Sequence, residues 1–380
     1  MSCPAGFLPR STKAARFGQV GNRFLGAQFP DFRYHTRMQN EITISDALLD
    51  GNGRLKHKGY ARRPLLHYNP QNISIGPFGW FNFLRLKEWD YYGVTGPDYF
   101  FAAAVSTIGY AGVIFAYVID FNTMTMTEDT VLTFLGKGVS LPKTSEEGDI
   151  YFQHPKVRMS FVRLAEERLL KVDWPGFGGK GLTAHLSLIQ PKDMDGIVMA
   201  TPIGDKGFYY NHKVNCMPAE GDIVFAGKKY KAQRSDTMGT LDWGRGVWAY
   251  DSFWNWASLS AQLPDGRAIG LNLGHGFGDL SAASENAAFV DGRIVKFEKV
   301  NWRYSSNNYM DPWNFKSPEG RVALTMTPIF HRQAKFNFGV IASEVHQMFG
   351  RYSGRIDSPE FGTIEINDLL GWAEEHRARW

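Results

Sequence analysis

Apolar and polar positions along the chain recur with a period near two, in short runs broken by turn residues. Leu182, Ala184, Leu186 and Leu188 alternate with Thr183, His185 and Ser187, the pattern of a half-buried strand with His185 on its polar face. Residues 80–92, 99–107, 111–121 and 123–135 predict successive strands, and 197–201, 207–215, 222–225, 268–273, 288–290 and 321–328 continue in the same short lengths. Residues 339–354 predict a long strand or a bent pair. Asp50-Gly51-Asn52-Gly53 and Asp291-Gly292 are turn signals. Between 150 and 170 the pattern is mixed, with charges too frequent for a buried helix. Residues 366–377 predict a short C-terminal helix capped by Asn367 or Asp368. Residues 1–40 show no period and read as an N-terminal arm.

Tyr99 to Ile119 carries no formal charge and is long enough to cross a bilayer. Its centre, Ile108-Gly109-Tyr110-Ala111-Gly112, reads as a break, and β-branched and aromatic residues crowd both halves. Two buried strands fit better than a transmembrane span, while peripheral membrane contact stays open. No internal repeat is visible. Gly176-Phe177-Gly178-Gly179-Lys180-Gly181 is the expected junction between two consecutive β-rich halves, giving an arm at 1–40, a first barrel at 41–178 and a second at 179–380. Exchange of strands between the halves remains compatible with the pattern. Closing such sheets into barrels removes the exposed edges that many strands create.

Composition supports this all-β reading. The chain has 380 residues, 40 of them Gly, and 14% aromatics, which favours strands and tight turns over a helical bundle. Net charge is only +4, so a broad nucleic-acid-binding surface is excluded. The charge is uneven: residues 1–70 hold 11 Lys/Arg against 4 Asp/Glu, the rest of the chain 31 against 34. The basic arm therefore stands as a candidate docking segment for a protein partner. Arg10, Lys13, Arg16 and Arg23 occur without an apolar stretch, unlike a secretory signal, though the acid-poor start also matches an organellar transit segment. Cys3 and Cys216 offer neither a disulfide framework nor a metal site, which fits a cytoplasmic or other reducing compartment.

Chemistry concentrates in Asp236–Trp256, which holds four of the 11 tryptophans. In an extended chain Asp242, Gly244, Gly246, Trp248 and Tyr250 share one side, and Trp243, Arg245 and Val247 the other. Asp242 is a candidate acid whose pKa would rise in an apolar pocket, and Arg245 a candidate to orient a carbonyl or carboxylate. The two glycines leave room for close approach of backbone or ligand. An aromatic core with one internal ion pair is the competing structural reading. Glu344 and His346 form a second candidate, a carboxylate beside an imidazole on one strand face, suited to general acid/base work. Leu271-Asn272-Leu273-Gly274-His275-Gly276-Phe277-Gly278-Asp279 is a third, a glycine-rich loop resembling an anion nest but lacking the Lys-Ser/Thr of a phosphate loop. Ser284-Glu285-Asn286 nearby either turns inward or, as the expected case, forms a loop rim. No metal-ligand spacing, dinucleotide fingerprint or hydrolase elbow appears, so neither metal nor cofactor is expected.

Several motifs together resemble one family. Gly53-x-Leu55-x-x-x-Gly59-Tyr60-Ala61-Arg62-Arg63-Pro64, Glu88-Trp89-Asp90-Tyr91-Tyr92, Asp242-x-Gly244-Arg245-Gly246-x-Trp248-x-Tyr250, Gly270–Gly274, Glu344-Val345-His346-Gln347 and the Leu369–Trp380 ending are similar to the DUF2804 family, in order from Ile42 onward. Ala249 departs from the pattern, which has Pro there. More distantly the chain resembles two-barrel lipocalin-like proteins, a group with AttH relatives, carotenoid 1,2-hydratases and fungal cyclases. The resemblance implies two barrels side by side and an apolar ligand in one barrel or at their junction.

The expected function is binding of an apolar lipid- or isoprenoid-like molecule, with cofactor-independent hydration, isomerisation or cyclisation as its extension. In that reading Asp242, Arg245, Glu344 and His346 carry the chemistry. Trp243, Trp248, Tyr250, Trp254, Trp256, Asn272 and His185 line the ligand. The alternatives are a non-catalytic lipid carrier and a structural subunit docked through its basic arm.

Overall fold

The computed structural model describes residues 39–76, 78–337 and 339–380; the basic arm expected at 1–40 falls almost wholly outside them. The described residues build two large sheets. The first is 13-stranded and its main path runs Thr125–Phe134, Ala111–Asp120, Tyr99–Thr107, Leu86–Thr95, Met238–Val247, Gly207–Phe225, Leu182–Ile189, Glu167–Trp174, Val157–Arg163 and Ile150–His154. Gly59–Ala61, Ile197–Ile203 and Lys228–Ala232 attach to its sides. The second is 9-stranded, in the order Arg293–Lys296, Ala287–Val290, Ala268–His275, Asp251–Gln262, Gly362–Arg379, Ala342–Ser358, Val322–Asn337, Trp313–Lys316 and Asn301–Arg303. Every ladder in both is antiparallel.

Each sheet curls on itself. Val131 and Ile150 sit on the two outermost strands of the first sheet yet pack in one core with Leu170, Leu186 and Trp243. In the second, Val295 and Trp313 from opposite flanks meet around Leu259, Met326 and Tyr352. These are the two barrels read from the sequence. Their changeover falls between Val247 and Asp251, where the chain leaves one sheet for the other. The Gly176–Gly181 segment is a short turn between two strands paired within the first sheet, so the sheets do not divide at 178/179.

A third core joins the barrels. Tyr91, Phe100, Ala102, Ala104, Tyr117 and Ile119 face Trp256, Phe349 and Trp372 across the junction. The Phe100 ring lies 4.7 Å from Phe349 and 5.2 Å from Trp372. The charge-free Tyr99–Ile119 run is thereby explained: its alternate residues Phe101, Ala103 and Val105 fill the first barrel while Phe100, Ala102 and Ala104 fill the junction. A strand buried on both faces loses its polar alternation. No helix among the described residues is long and apolar enough to cross a membrane.

Two local expectations are corrected. Residues 79–85 form a short helix before the Leu86–Thr95 strand, with Trp80 and Phe83 exposed. Asn82 holds it, donating to Ile73 O at 2.8 Å and accepting from Ile75 N at 3.0 Å. The C-terminal helix expected at 366–377 is part of the Gly362–Arg379 strand, paired on both sides. The Asn367-Asp368 pair read as a helix cap marks a bulge instead, with Asp368 at φ 57° where the register shifts between Tyr352 and Gly354.

Candidate functional site

A cavity of about 610 Å³ lies at the junction rather than inside either barrel. Its walls come from the outward faces of both sheets. From the first come Trp89, Tyr91, Ala104, Val113, Phe115 and Tyr117; from the second, Trp254, Trp256, Val345, Gln347, Glu374 and His376. Such an apolar space with a few convergent polar groups is the usual form of a small-molecule site.

Met238–Val247 is the central wall strand, and strand alternation decides what it presents. Asp242 faces the cavity, while Trp243 and Arg245 point into the first barrel, as their opposite faces predict. Arg245 is 0% exposed and donates to Asp90 Oδ1, Trp89 O, Gly244 O and Pro142 O at 2.8 to 2.9 Å. Its guanidinium lies 4.2 Å from the Trp243 ring. Arg245 and Trp243 therefore do not reach the cavity. The space beside Gly244 is taken by Trp89: a Cβ at 244 would stand 2.1 Å from that indole.

Asp242 is held by Lys213, Nζ to Oδ2 at 2.9 Å, and that ammonium sits 4.0 Å above the Trp256 ring. Its other oxygen, Oδ1, is buried with no hydrogen-bond partner. Trp248, Trp254 and Trp256 line the cavity, with rings of Trp248 and Trp254 edge-on at 5.6 Å. Asn272 backs the wall, accepting from Trp256 Nε1 at 2.8 Å. Tyr250 is 46% exposed and donates to Val340 O at 2.5 Å, and His185 is exposed on the first barrel's outer face. Neither Tyr250 nor His185 lines the cavity.

Glu344 and His346 do form a pair, at 3.2 Å, but on the strand face away from the cavity. His346 also meets His331 at 3.0 Å and stacks on Tyr309, while Glu344 binds Lys335 at 2.9 Å. The glycine-rich third candidate receives an internal carboxylate: Glu285 lies against Gly274 and accepts from Asn272 at 3.3 Å and Asn211 at 3.2 Å. Glu285 thus turns inward and joins the cavity wall rather than forming a loop rim.

The polar groups that do converge were hidden by the helical reading of the C-terminus. On a strand, Trp372, Glu374 and His376 share the junction face. Glu374 accepts from Trp254 Nε1 at 3.2 Å. Burial pushes its carboxyl up to about 7, and the Asp242 charge adds to this; the Trp254 N–H, Arg332 and Lys213 pull the other way without prevailing. His376 meets Ser343 Oγ at 2.7 Å and lies 4.0 Å from the Trp254 ring. Burial, then the Arg332 charge, holds its imidazole down near about 3, so it is neutral. Arg332 binds Glu128 with two contacts of 2.9 Å, tying the second sheet to the first across the far end of the cavity. Tyr117 completes a relay, 2.9 Å from Tyr91 OH and 3.0 Å from Gln347 Oε1.

Two antiparallel barrels with a ligand-sized cavity between them define a two-barrel, lipocalin-like protein. The chain belongs to the DUF2804 family, a domain of unknown function that matches residues 39–380. No curated protein matches it. Among solved structures, CghA with Sch210972 is similar at a TM-score of 0.50 and 10% identity, over 87% of this chain and 97% of that one. Kievitone hydratase from Nectria haematococca gives 0.42 and 10%, over 77% and 88%. An AttH-type protein from Nitrosomonas europaea gives 0.39 and 13%, over 77% and 92%. At such identity the likeness to CghA speaks for the fold.

Proposed function

We propose that the protein binds an apolar, lipid- or isoprenoid-like small molecule in the junction cavity and converts it by proton transfer, as a cofactor-independent hydratase, isomerase or cyclase. The observation that carries this reading is Glu374, a buried carboxyl in an aromatic cavity wall that holds its proton to about pH 7. A neutral carboxylic acid in an apolar site can donate to an olefin or a carbonyl, the role sequence reasoning gave to Asp242. The faces of Trp254 and Trp256 would shield the cation that results. His376, neutral and pinned by Ser343, offers a hydrogen-bonding position for water, and the Glu374 carboxylate recovers the proton at the end.

A carrier needs the same walls but no such acid. Glu374→Gln separates the two. Mixed with the apolar extract of the protein's own cells, wild-type protein should consume one component that the Gln variant binds and returns unchanged. The initial rate should fall by about 10²-fold or more in the variant. Because the proton donor is the protonated form, wild-type turnover should decline as pH rises through about 7. Equal retention of an unchanged compound by both proteins supports carriage instead.

A further inference from the structure

Lys87 occupies the cavity end remote from the Arg332–Glu128 clamp. It is 2% exposed yet lines the cavity. Its Nζ meets Ile108 O at 2.7 Å and Leu84 O at 3.4 Å, and lies 5.0 Å from the centre of the Tyr110 ring and 6.0 Å from that of Trp380. Among the described residues it has no carboxylate partner. Burial, then the neighbouring Arg85 charge, lowers it to about 7, against about 10.4 for a free lysine. A neutral amine has two hydrogens, which the two carbonyls accept, and one lone pair, which nothing around it satisfies. Close by, Tyr110 OH, Trp248 Nε1 and Trp380 Nε1 are buried donors without partners, on residues that line the same cavity. One end of the cavity thus combines a nucleophilic nitrogen with unused hydrogen-bond donors. A carbonyl group complements both, its carbon accepting the lone pair and its oxygen the donors.

We propose that Lys87 captures an apolar aldehyde or ketone in this cavity as an imine. The amine nitrogen bonds to the carbonyl carbon, and one amine proton moves to the oxygen to give a carbinolamine. The nitrogen lone pair then expels the hydroxyl, which leaves as water with a proton from Tyr110. The remaining nitrogen proton returns to the phenolate, so the products are one imine and one water. Burial raises the Tyr110 pKa and keeps it a phenol for this step. The site rests on the cavity's accepting apolar ligands, as proposed above, but not on Glu374.

The test uses full-length protein, dodecanal and sodium cyanoborohydride at about pH 7.4, with adducts located by peptide mass mapping. Lys87 should carry the reduced adduct at least about tenfold above any other lysine, because a free lysine is almost wholly protonated there and Lys296, which burial also lowers to about 7, does not line the cavity. Excess dodecanol, which fills the cavity without a carbonyl, should suppress it, and Lys87→Arg should lack it. Adducts spread over other lysines with no excess at Lys87 overturn the imine. If dodecanol still changes tryptophan fluorescence in that case, apolar binding stands without it. If dodecanol changes nothing, the binding reading falls as well.

Discussion

Gly244 shows how one residue shapes the cavity. It lies on a strand whose ten residues are all buried, and its missing side chain admits the Trp89 indole. Gly244→Ala should cost about 1–3 kcal/mol through overpacking and push Trp89 into the ligand space. Chemical denaturation reads the first effect, and titration with an apolar ligand followed by tryptophan fluorescence reads the second. The period-two rule sorted Asp242 from Arg245 correctly in the sequence, because alternation in a flat strand is a local property. It could not say that Lys213, from the neighbouring Gly207–Phe225 strand, would pair with Asp242. Nor could it find Glu374, whose role depends on strands far away in the chain. Four of the expected lining and catalytic positions (Trp243, Arg245, Glu344 and His346) lie on strand faces turned from the cavity, although the type of each residue suited the chemistry.

Among elements, the terminal strand carries most of the site, and it was the one misread. Leu369-Leu370 followed by Ala373, Glu374 and Glu375 satisfies local helix preference. Pairing with Asp251–Gln262 on one side and Ala342–Ser358 on the other overrides it. The Tyr99–Thr107 and Ala111–Asp120 hairpin was legible because its apolar halves and glycine break needed no distant partner. The strands Thr125–Phe134 and Val322–Asn337 are tied by the Glu128–Arg332 pair at the cavity's far end, a contact no sequence pattern announces. Glu128→Ala leaves a buried guanidinium without its carboxylate and should destabilise the fold by about 3 kcal/mol. Thermal unfolding of the variant measures this, and Glu128→Gln should recover part of the loss through a hydrogen bond.

At the scale of the whole molecule, ionisable groups are buried both at the junction, where Glu374 and His376 lie, and within the first barrel, where His212 meets Ser145, and this sets a pH dependence. His376 and His212, lowered to about 3 and about 4 mainly by burial, stay neutral in the folded protein while the unfolded chain takes up protons below about 6.5. Their contribution to stability is therefore lost as pH falls through that window. Glu374, raised to about 7, works in the opposite sense: the folded state keeps a proton that the unfolded chain releases above about 4.5, so its contribution declines as pH rises toward 7. Between about 4.5 and 6.5 the balance of these three groups is one proton in favour of the unfolded chain. His376→Gln should remove that balance and flatten the acid limb by up to about 1.4 kcal/mol per pH unit, as read from denaturant midpoints across pH. The two-barrel architecture itself was open to sequence reading, since strand periodicity and turn signals repeat along the chain. The site at their junction was not, because it is made where two outer faces meet.

The most direct test of a ligand held between the barrels is a crystal structure of the Glu374→Gln protein with the compound it retains from its own cells. Density is expected in the junction cavity, against Trp254 and Trp256, with a reacting atom within hydrogen-bond reach of residue 374. Density inside either barrel, or on the His331–His346 face of the second, would contradict it.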